Sequence, residues 1–179
     1  SDLALGKLGI AHSEGRAPRL VLDQTICGVN GRCKIPERST LPSAKDVLRT
    51  FPIRNFSGDH MGFSLDIKSA HKRIVVREEE HGLLGFTLQG RLYFYKVAPF
   101  GATFSAAWWS RLGGWMLRFF HFLIWWTHIA LLYVDDYLFI QSLFSMPLSA
   151  TMICLMSQIT NIPVSWQKCE LAFNIQWID

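Results

Sequence analysis

The stretch LLYVDDYLFI, Leu131 to Ile140, sets two adjacent aspartates inside an otherwise apolar run. The run reads as a buried strand, where desolvating even one unpaired charge is expensive. One reading makes the pair a β-turn, because Asp is a common turn residue. The other makes it a metal site, in which a cation offsets the charge that burial would penalise. Successive strand side chains point to opposite faces, so Asp135 and Asp136 need not serve the same ion.

The flanks give the pair a setting. IALLYVDDYLFIQ, Ile129 to Gln141, predicts a hairpin with the aspartates at its tip. Upstream, WMLRFFHFLIWWTHIALLYV, Trp115 to Val134, has the length of a membrane-spanning helix. It contains Arg118, His121 and His128, ends directly in Asp135, and its last six residues read as strand. A buried helix running into a central strand fits better.

Farther out, PRLVLD, Pro18 to Asp23, alternates like a strand and precedes the turn-rich GVNGRCKIPERSTLPS. Ser43 suits the N-cap of a short helix in PSAKDVLRTF. HMGFSLDI, His60 to Ile67, predicts a strand ending on Asp66, and LLGFTLQGRLYFYKVAP predicts a hairpin turning at Gln89 and Gly90. The acidic run REEEHG, Arg77 to Gly82, reads as a solvated turn face. ATFSAAWWSRLGGWMLRFFHFL predicts a long helix weakened at Gly113 and Gly114. PLSATMICLMSQIT has helical spacing, and VSWQKCELAFNIQWI reads as two short strands. Trp108, Trp109, Trp115, Trp125 and Trp126 read as core in preference to base-stacking platforms, and His121 and His128 as core or edge residues. Helices interspersed with antiparallel hairpins predict an α+β layered domain.

Composition bounds the function. The 179 residues fit one domain, and 50% hydrophobic with 18% charged residues excludes a disordered chain. A net charge of +4 weakly favours an anionic partner such as nucleic acid. Residues 1–80 hold 13 of the 18 Lys and Arg, whereas residues 119–134 hold no Asp, Glu, Lys or Arg, so the first half reads as a polar face and the second as core. Cys27, Cys33, Cys154 and Cys169 lack zinc spacing and read as free thiols of a reducing compartment, cytoplasm or nucleus. The start has no signal-peptide layout and no Met, which reads as a fragment of something longer.

Asp66 ends one predicted strand and Asp135 stands at the tip of another. If the strands are antiparallel neighbours, the two carboxylates converge and repel unless a cation lies between them. Magnesium prefers oxygen ligands and retains waters that a substrate phosphate displaces. Two such ions suit phosphoryl transfer.

These residues resemble the motifs of reverse transcriptases from retroelements. YVDD, Tyr133 to Asp136, resembles their motif C, and FSLDIKSAH, Phe63 to His71, resembles motif A with Asp66 as its metal aspartate. YKVAPFGATFSAAWW, Tyr95 to Trp109, resembles motif B, with Pro99, Phe100 and Gly101 in place of Pro-x-Gly and Ser105 at the expected offset. RLVLDQTICGVN, Arg19 to Asn30, is similar to the fingers strand that grips an incoming triphosphate. VSWQKCEL resembles motif D with Lys168, and IQWID resembles the primer-grip hairpin of motif E. The run LVLD…GVN…IPE…LPS is closest to elements of the tyrosine-recombinase kind.

The resemblance implies a right-hand polymerase, with fingers mainly in 1–60, palm mainly in 61–179 and a fingers hairpin near 83–98. It implies an antiparallel palm sheet packed on helices, without thumb or RNase H regions. The implied activity is RNA-directed DNA synthesis from deoxynucleoside triphosphates on a primed RNA or DNA template. Two magnesium ions, with manganese as the alternative, are expected on Asp66 and Asp135, with Asp136 as ligand or local charge. Arg19 and Lys7 are expected on the triphosphate and Lys168 as proton donor to pyrophosphate. Tyr133 and Gly101 are expected to shape the nucleotide and primer pocket; the other reading of Gly101 is a turn leading into the helix.

One position departs from the family. Five residues after Asp66, where Phe or Tyr usually excludes a ribose 2′-hydroxyl, stands His71, a gate or simply a helix residue near the site. An RNA-dependent RNA polymerase is the alternative palm enzyme, but it typically reads Gly-Asp-Asp where this chain has Val134-Asp135-Asp136. A decayed fragment that only binds nucleic acid is the non-enzymatic alternative.

Overall fold

The computed structural model describes residues 3–13, 16–37, 39–50 and 58–177. Phe51 of the predicted short helix and Ile178 and Asp179 of the last motif lie outside them. In chain order the elements are β1 (Lys7–Ser13), β2 (Arg16–Asp23), α1 (Val29–Arg32), α2 (Ala44–Thr50), β3 (His60–Asp66), β4 (Gly85–Leu88), β5 (Arg91–Phe94), α3 (Thr103–Leu123), β6 (His128–Tyr133), β7 (Asp136–Ser142), α4 (Met146–Ile159) and β8 (Glu170–Ala172). Short 3-10 turns lie at Ala70–Arg73, Glu78–Leu84 and Trp166–Lys168. The fold is α+β, with antiparallel sheets and helices.

The chain forms two units, Ser1–Ser39 with Ser69–Ser110, and Thr40–Lys68 with Arg111–Asp179. In the first, β1 pairs antiparallel with β2, and β4 with β5. The β4–β5 turn is Gln89 and Gly90, both left-handed at φ 52 and 73, which matches the twist of the flanking strands. Asn30 caps α3: its Oδ1 accepts from the Thr103 N–H at 2.9 Å, and its Nδ2 donates to the Gly101 carbonyl at 2.8 Å. Glu78, Glu79 and Glu80 are exposed, as expected of a solvated face.

In the second unit the sheet order is β6-β7-β3-β8. β7 is buried from Tyr137 to Gln141 because strands flank it on both sides. Among the described residues β6 pairs with β7 alone and is an edge strand, where the sequence predicts a central one. The apolar run belongs to the whole hairpin, and it is the second arm that occupies the centre. Phe120 of α3 meets Tyr137 and Phe139 edge-on at 5.5 and 5.8 Å, locking helix to sheet. α4 buries Met146, Ala150, Ile153 and Ser157, one helical face, against β3 and β7.

Three expectations need correction. α3 is continuous through Gly113, where the sequence predicted weakening. A Cβ at Gly113 would lie 2.8 Å from Leu132 Cδ2, and Tyr137 Oη donates to the Gly113 carbonyl at 2.9 Å. The glycine is one of the points at which helix and hairpin touch. Of the five tryptophans only Trp109 is core; Trp125 is 86% exposed and Trp108, Trp115 and Trp126 are also exposed. At the C-terminal end β8 is the one strand among the described residues after α4. Ile175 and Trp177 pack by side chain against Ile129, Leu138 and Ile140 in place of a second strand. Among the described residues no helix is long and apolar enough to cross a membrane.

Candidate active site

Strand register places the carboxylates of the second unit. β3 and β7 run antiparallel with Asp66 directly across from Asp136. Tyr133 pairs with Asp136, which leaves Val134 and Asp135 as a two-residue turn. Val134 has φ 55, a conformation that β-branched residues rarely adopt. The Ile67 N–H donates to the Asp135 carbonyl at 3.1 Å, so the turn is tied to the end of β3. The sequence had paired Asp66 with Asp135; the register sets Asp136 opposite Asp66, and Asp135 stands beside them on the turn.

Asp66 is held from a second side. The Ser165 N–H donates to the Asp66 carbonyl at 2.8 Å, and the Lys168 N–H donates to the Ser165 carbonyl at 2.8 Å, closing the 3-10 turn. This brings Lys168 Nζ to 2.7 Å from Asp66 Oδ2. Ser165 also hydrogen-bonds the Asp66 carboxylate through its side chain. A serine three residues before a lysine carries no distinctive sequence signal, and Ser165 was not anticipated.

The charges respond to this crowding. Burial alone would raise the Asp66 carboxyl, but bonds from Lys168 and Ser165, the Lys168 charge and a bond with Asp136 hold it below the usual range. Asp136 is pushed up to about 6, first by burial, then by the charges of Asp135 and Asp66 and the bond with Asp66, against an opposing pull from Lys168. The Asp66 bond raises the Lys168 ammonium, against burial and with help from the three aspartate charges. Lys168 is therefore a cation at neutral pH facing three carboxylates.

Among the described residues no three His, Cys, Asp or Glu side chains stand in a ready metal-holding arrangement. The donor chemistry nonetheless suits a hard divalent cation: oxygen ligands only, with burial first and then the charges of Asp135 and Asp66 raising the Asp136 carboxyl to about 6. Tyr133 is half-buried beside this cluster, its ring edge-on to Trp177 at 6.3 Å.

The other predicted residues lie in the first unit. Lys7 is exposed at the start of β1, opposite Asp23. Arg19 is exposed on β2, its guanidinium 5.8 Å from the Phe100 ring centroid. His71 sits in the Ala70–Arg73 turn, edge-on to Phe100 at 4.9 Å and to Trp109 at 6.4 Å. Gly101 has φ 99, and a Cβ there would run into the Leu22 carbonyl of β2. The requirement for glycine at 101 thus arises from the chain's own backbone. Ser105 is buried and donates to the Pro99 carbonyl at 2.7 Å. His121 and His128, expected as core or edge residues, face one another in the second unit, Nδ1 to Nε2 at 2.6 Å.

No known family's sequence pattern matches the chain, and no curated protein matches it in sequence. Solved structures do. A foamy viral protease-reverse transcriptase in complex with double-stranded DNA superposes with a TM-score of 0.77 at 15% identity, over 99% of this chain and 29% of that one. Prototype foamy virus protease-reverse transcriptase matches at TM-score 0.68 and 19% identity, over 93% and 20%. The foamy viral enzyme in complex with an RNA/DNA hybrid matches at TM-score 0.66 and 18% identity, over 93% and 21%. The chain spans about a third or less of the length of these proteins, and its fold is like that of the part of them it covers, a reverse transcriptase-like fold.

Proposed function

We propose that this chain is the fingers-and-palm part of an RNA-directed DNA polymerase. The observation that carries the reading is the convergence of Asp66, Asp136 and Lys168, with Asp135 on the adjoining turn, within a reverse-transcriptase fold. In the proposed reaction the primer 3′-oxygen bonds to the α-phosphorus of a deoxynucleoside triphosphate as the bond to pyrophosphate breaks. The hydroxyl proton is lost, and pyrophosphate gains one.

The residues divide the work. Asp66 and Asp135, with Asp136, would hold magnesium, or manganese in its place, which when bound supplies charge neutralisation for the attacking and leaving oxygens. Asp136 is pushed up to about 6 by burial and by the charges of Asp135 and Asp66, and a bound cation would favour its ionised form. Lys168, protonated at neutral pH, is the proton source for the leaving pyrophosphate. Tyr133, paired with Asp136 at the foot of the turn that carries Asp135, would help shape the primer and nucleotide pocket. For Arg19 and Lys7 on the triphosphate, His71 against the sugar and Gly101 in the nucleotide pocket, the motifs carry the reading. A primed RNA or DNA template is the proposed partner.

The test is primer extension on an RNA template by the longest natural polypeptide that carries this chain. Asp66→Asn and Asp135→Asn are each expected to lower synthesis by at least about a hundredfold. Unchanged synthesis in either variant overturns the proposal. Equal use of ribonucleotides would move the reading to an RNA polymerase.

A further inference from the structure

Lys168 poses a problem for the role just given it. Its Nζ lies 2.7 Å from Asp66 Oδ2, one of the two oxygens that Asp66 can offer a divalent cation. The two side chains are unequally placed: Asp66 is 10% exposed and Lys168 67%. The carboxylate is fixed in the sheet, whereas the ammonium reaches it from a solvated stem. The Ser165 and Lys168 backbone bonds hold the base of that stem at β3, so the ammonium is tethered within reach of Asp66 whether or not the pair is made.

We propose that Lys168 is a tethered counter-ion that competes with divalent cations for Asp66 and is displaced when one binds. This rests on the reading of Asp66 and Asp135 as cation ligands. An ammonium and a metal ion cannot both take the same carboxylate lone pair, and they repel each other at that distance. Without a cation, Lys168 offsets the repulsion among three aspartates and keeps the strand ends paired. With one, the side chain swings free on its solvated stem and is available to an anion such as a polyphosphate. The order of events follows: cation first, then release of Lys168, then any contact of Lys168 with a leaving phosphate. Linkage makes the effect reciprocal, so whatever anion binds the freed ammonium also tightens the cation.

The experiment titrates manganese alone into the chain and its variants, with free ion followed by electron paramagnetic resonance and folding by thermal melts. Lys168→Met and Lys168→Gln are each expected to bind manganese about two- to fivefold more tightly than wild type, the scale of a partly exposed ion pair. Lys168→Arg keeps the charge and is expected to stay near wild type. Lys96→Met is the control for lost surface charge. Asp66→Asn assigns the measured binding to this cluster. Magnesium added to 15N-labelled protein should shift the Lys168 Nζ resonance toward that of a free lysine side chain. If Asp66-dependent binding occurs but Lys168→Met and Lys168→Gln leave it unchanged or weaker, the counter-ion proposal is overturned and the cation reading stands. If wild type and both variants bind no manganese through Asp66, the cation reading itself fails and takes the proposal with it.

Discussion

The β4–β5 and β6–β7 hairpins each turn through two described residues, and they are built for different ends. β4–β5 turns at Gln89 and Gly90, with β5 exposed throughout and only Gly85 of β4 buried. Its turn chemistry is what strand twist prefers, and a glycine takes one of the left-handed positions. β6–β7 turns at Val134 and Asp135, with Tyr137 to Gln141 buried. Its turn puts a β-branched residue at φ 55, and three carboxylates crowd about its base. The first hairpin follows local propensity with little packing. The second has strong packing and goes against local propensity at its tip, as functional sites often do.

The largest expected effect breaks the packing side of the comparison. Phe139 is fully buried between Phe120 and Phe63, so Phe139→Ala should cost about 3–5 kcal/mol. Leu92 of β5 is 45% exposed, and Leu92→Ala should cost under about 0.5 kcal/mol. Urea denaturation of both variants checks this. Similar losses would mean that the exposed hairpin is not the lightly packed one.

Much of this arrangement was legible from residue patterns, for identifiable reasons. Both hairpin tips could be located because short-range turn chemistry and apolar alternation act within a few residues. Asp66 and the YVDD turn could be read because carboxylates in an apolar run demand an explanation. What could not be read depended on tertiary partners. Gly113 looks like a helix weakness until Leu132 and Tyr137 are seen to press on it. Trp108 and Trp115 of α3 look like core by composition, yet which helix face is covered depends on what packs there. The choice between Asp135 and Asp136 as the residue opposite Asp66 depends on strand register, and a one-residue slip reverses it. Asn30 and Ser165 act on backbone and carboxylate groups far along the chain and leave no local pattern.

The next effect concerns charge, and its sign follows from Asp136. A carboxyl raised to about 6 in the folded chain binds its proton more tightly there than in the unfolded chain, where it titrates near about 3.9. That contribution is fully present below about pH 4 and is lost as pH rises through 6. At pH 8 the ionised Asp136 is penalised first by its burial and then by the charges of Asp135 and Asp66. Asp136→Asn removes the charge and keeps the shape, so it should stabilise the chain by about 1 kcal/mol at pH 8, once solvent screening is allowed for. The gain should vanish by about pH 4. Thermal melts in chelator across that range check it, and a gain that persists at pH 4 would detach the effect from Asp136 ionisation.

The smallest effect sets the two turns against each other directly. Gly90 has φ 73 and open space where a Cβ would stand, so Gly90→Ala tests backbone conformation alone and should cost about 1 kcal/mol. Val134 has φ 55, and Val134→Gly should relieve strain of about 1–2 kcal/mol while adding about 1 kcal/mol of unfolded-chain entropy. The net expectation is a gain of about 0.5 kcal/mol, opposite in sign to the change at Gly90. Denaturation midpoints of the two variants decide it. A loss at Val134→Gly as large as that at Gly90→Ala would mean that the valine side chain, through its packing, outweighs the strain of its backbone. The tip would then be held by contacts, and the positive φ would be their consequence.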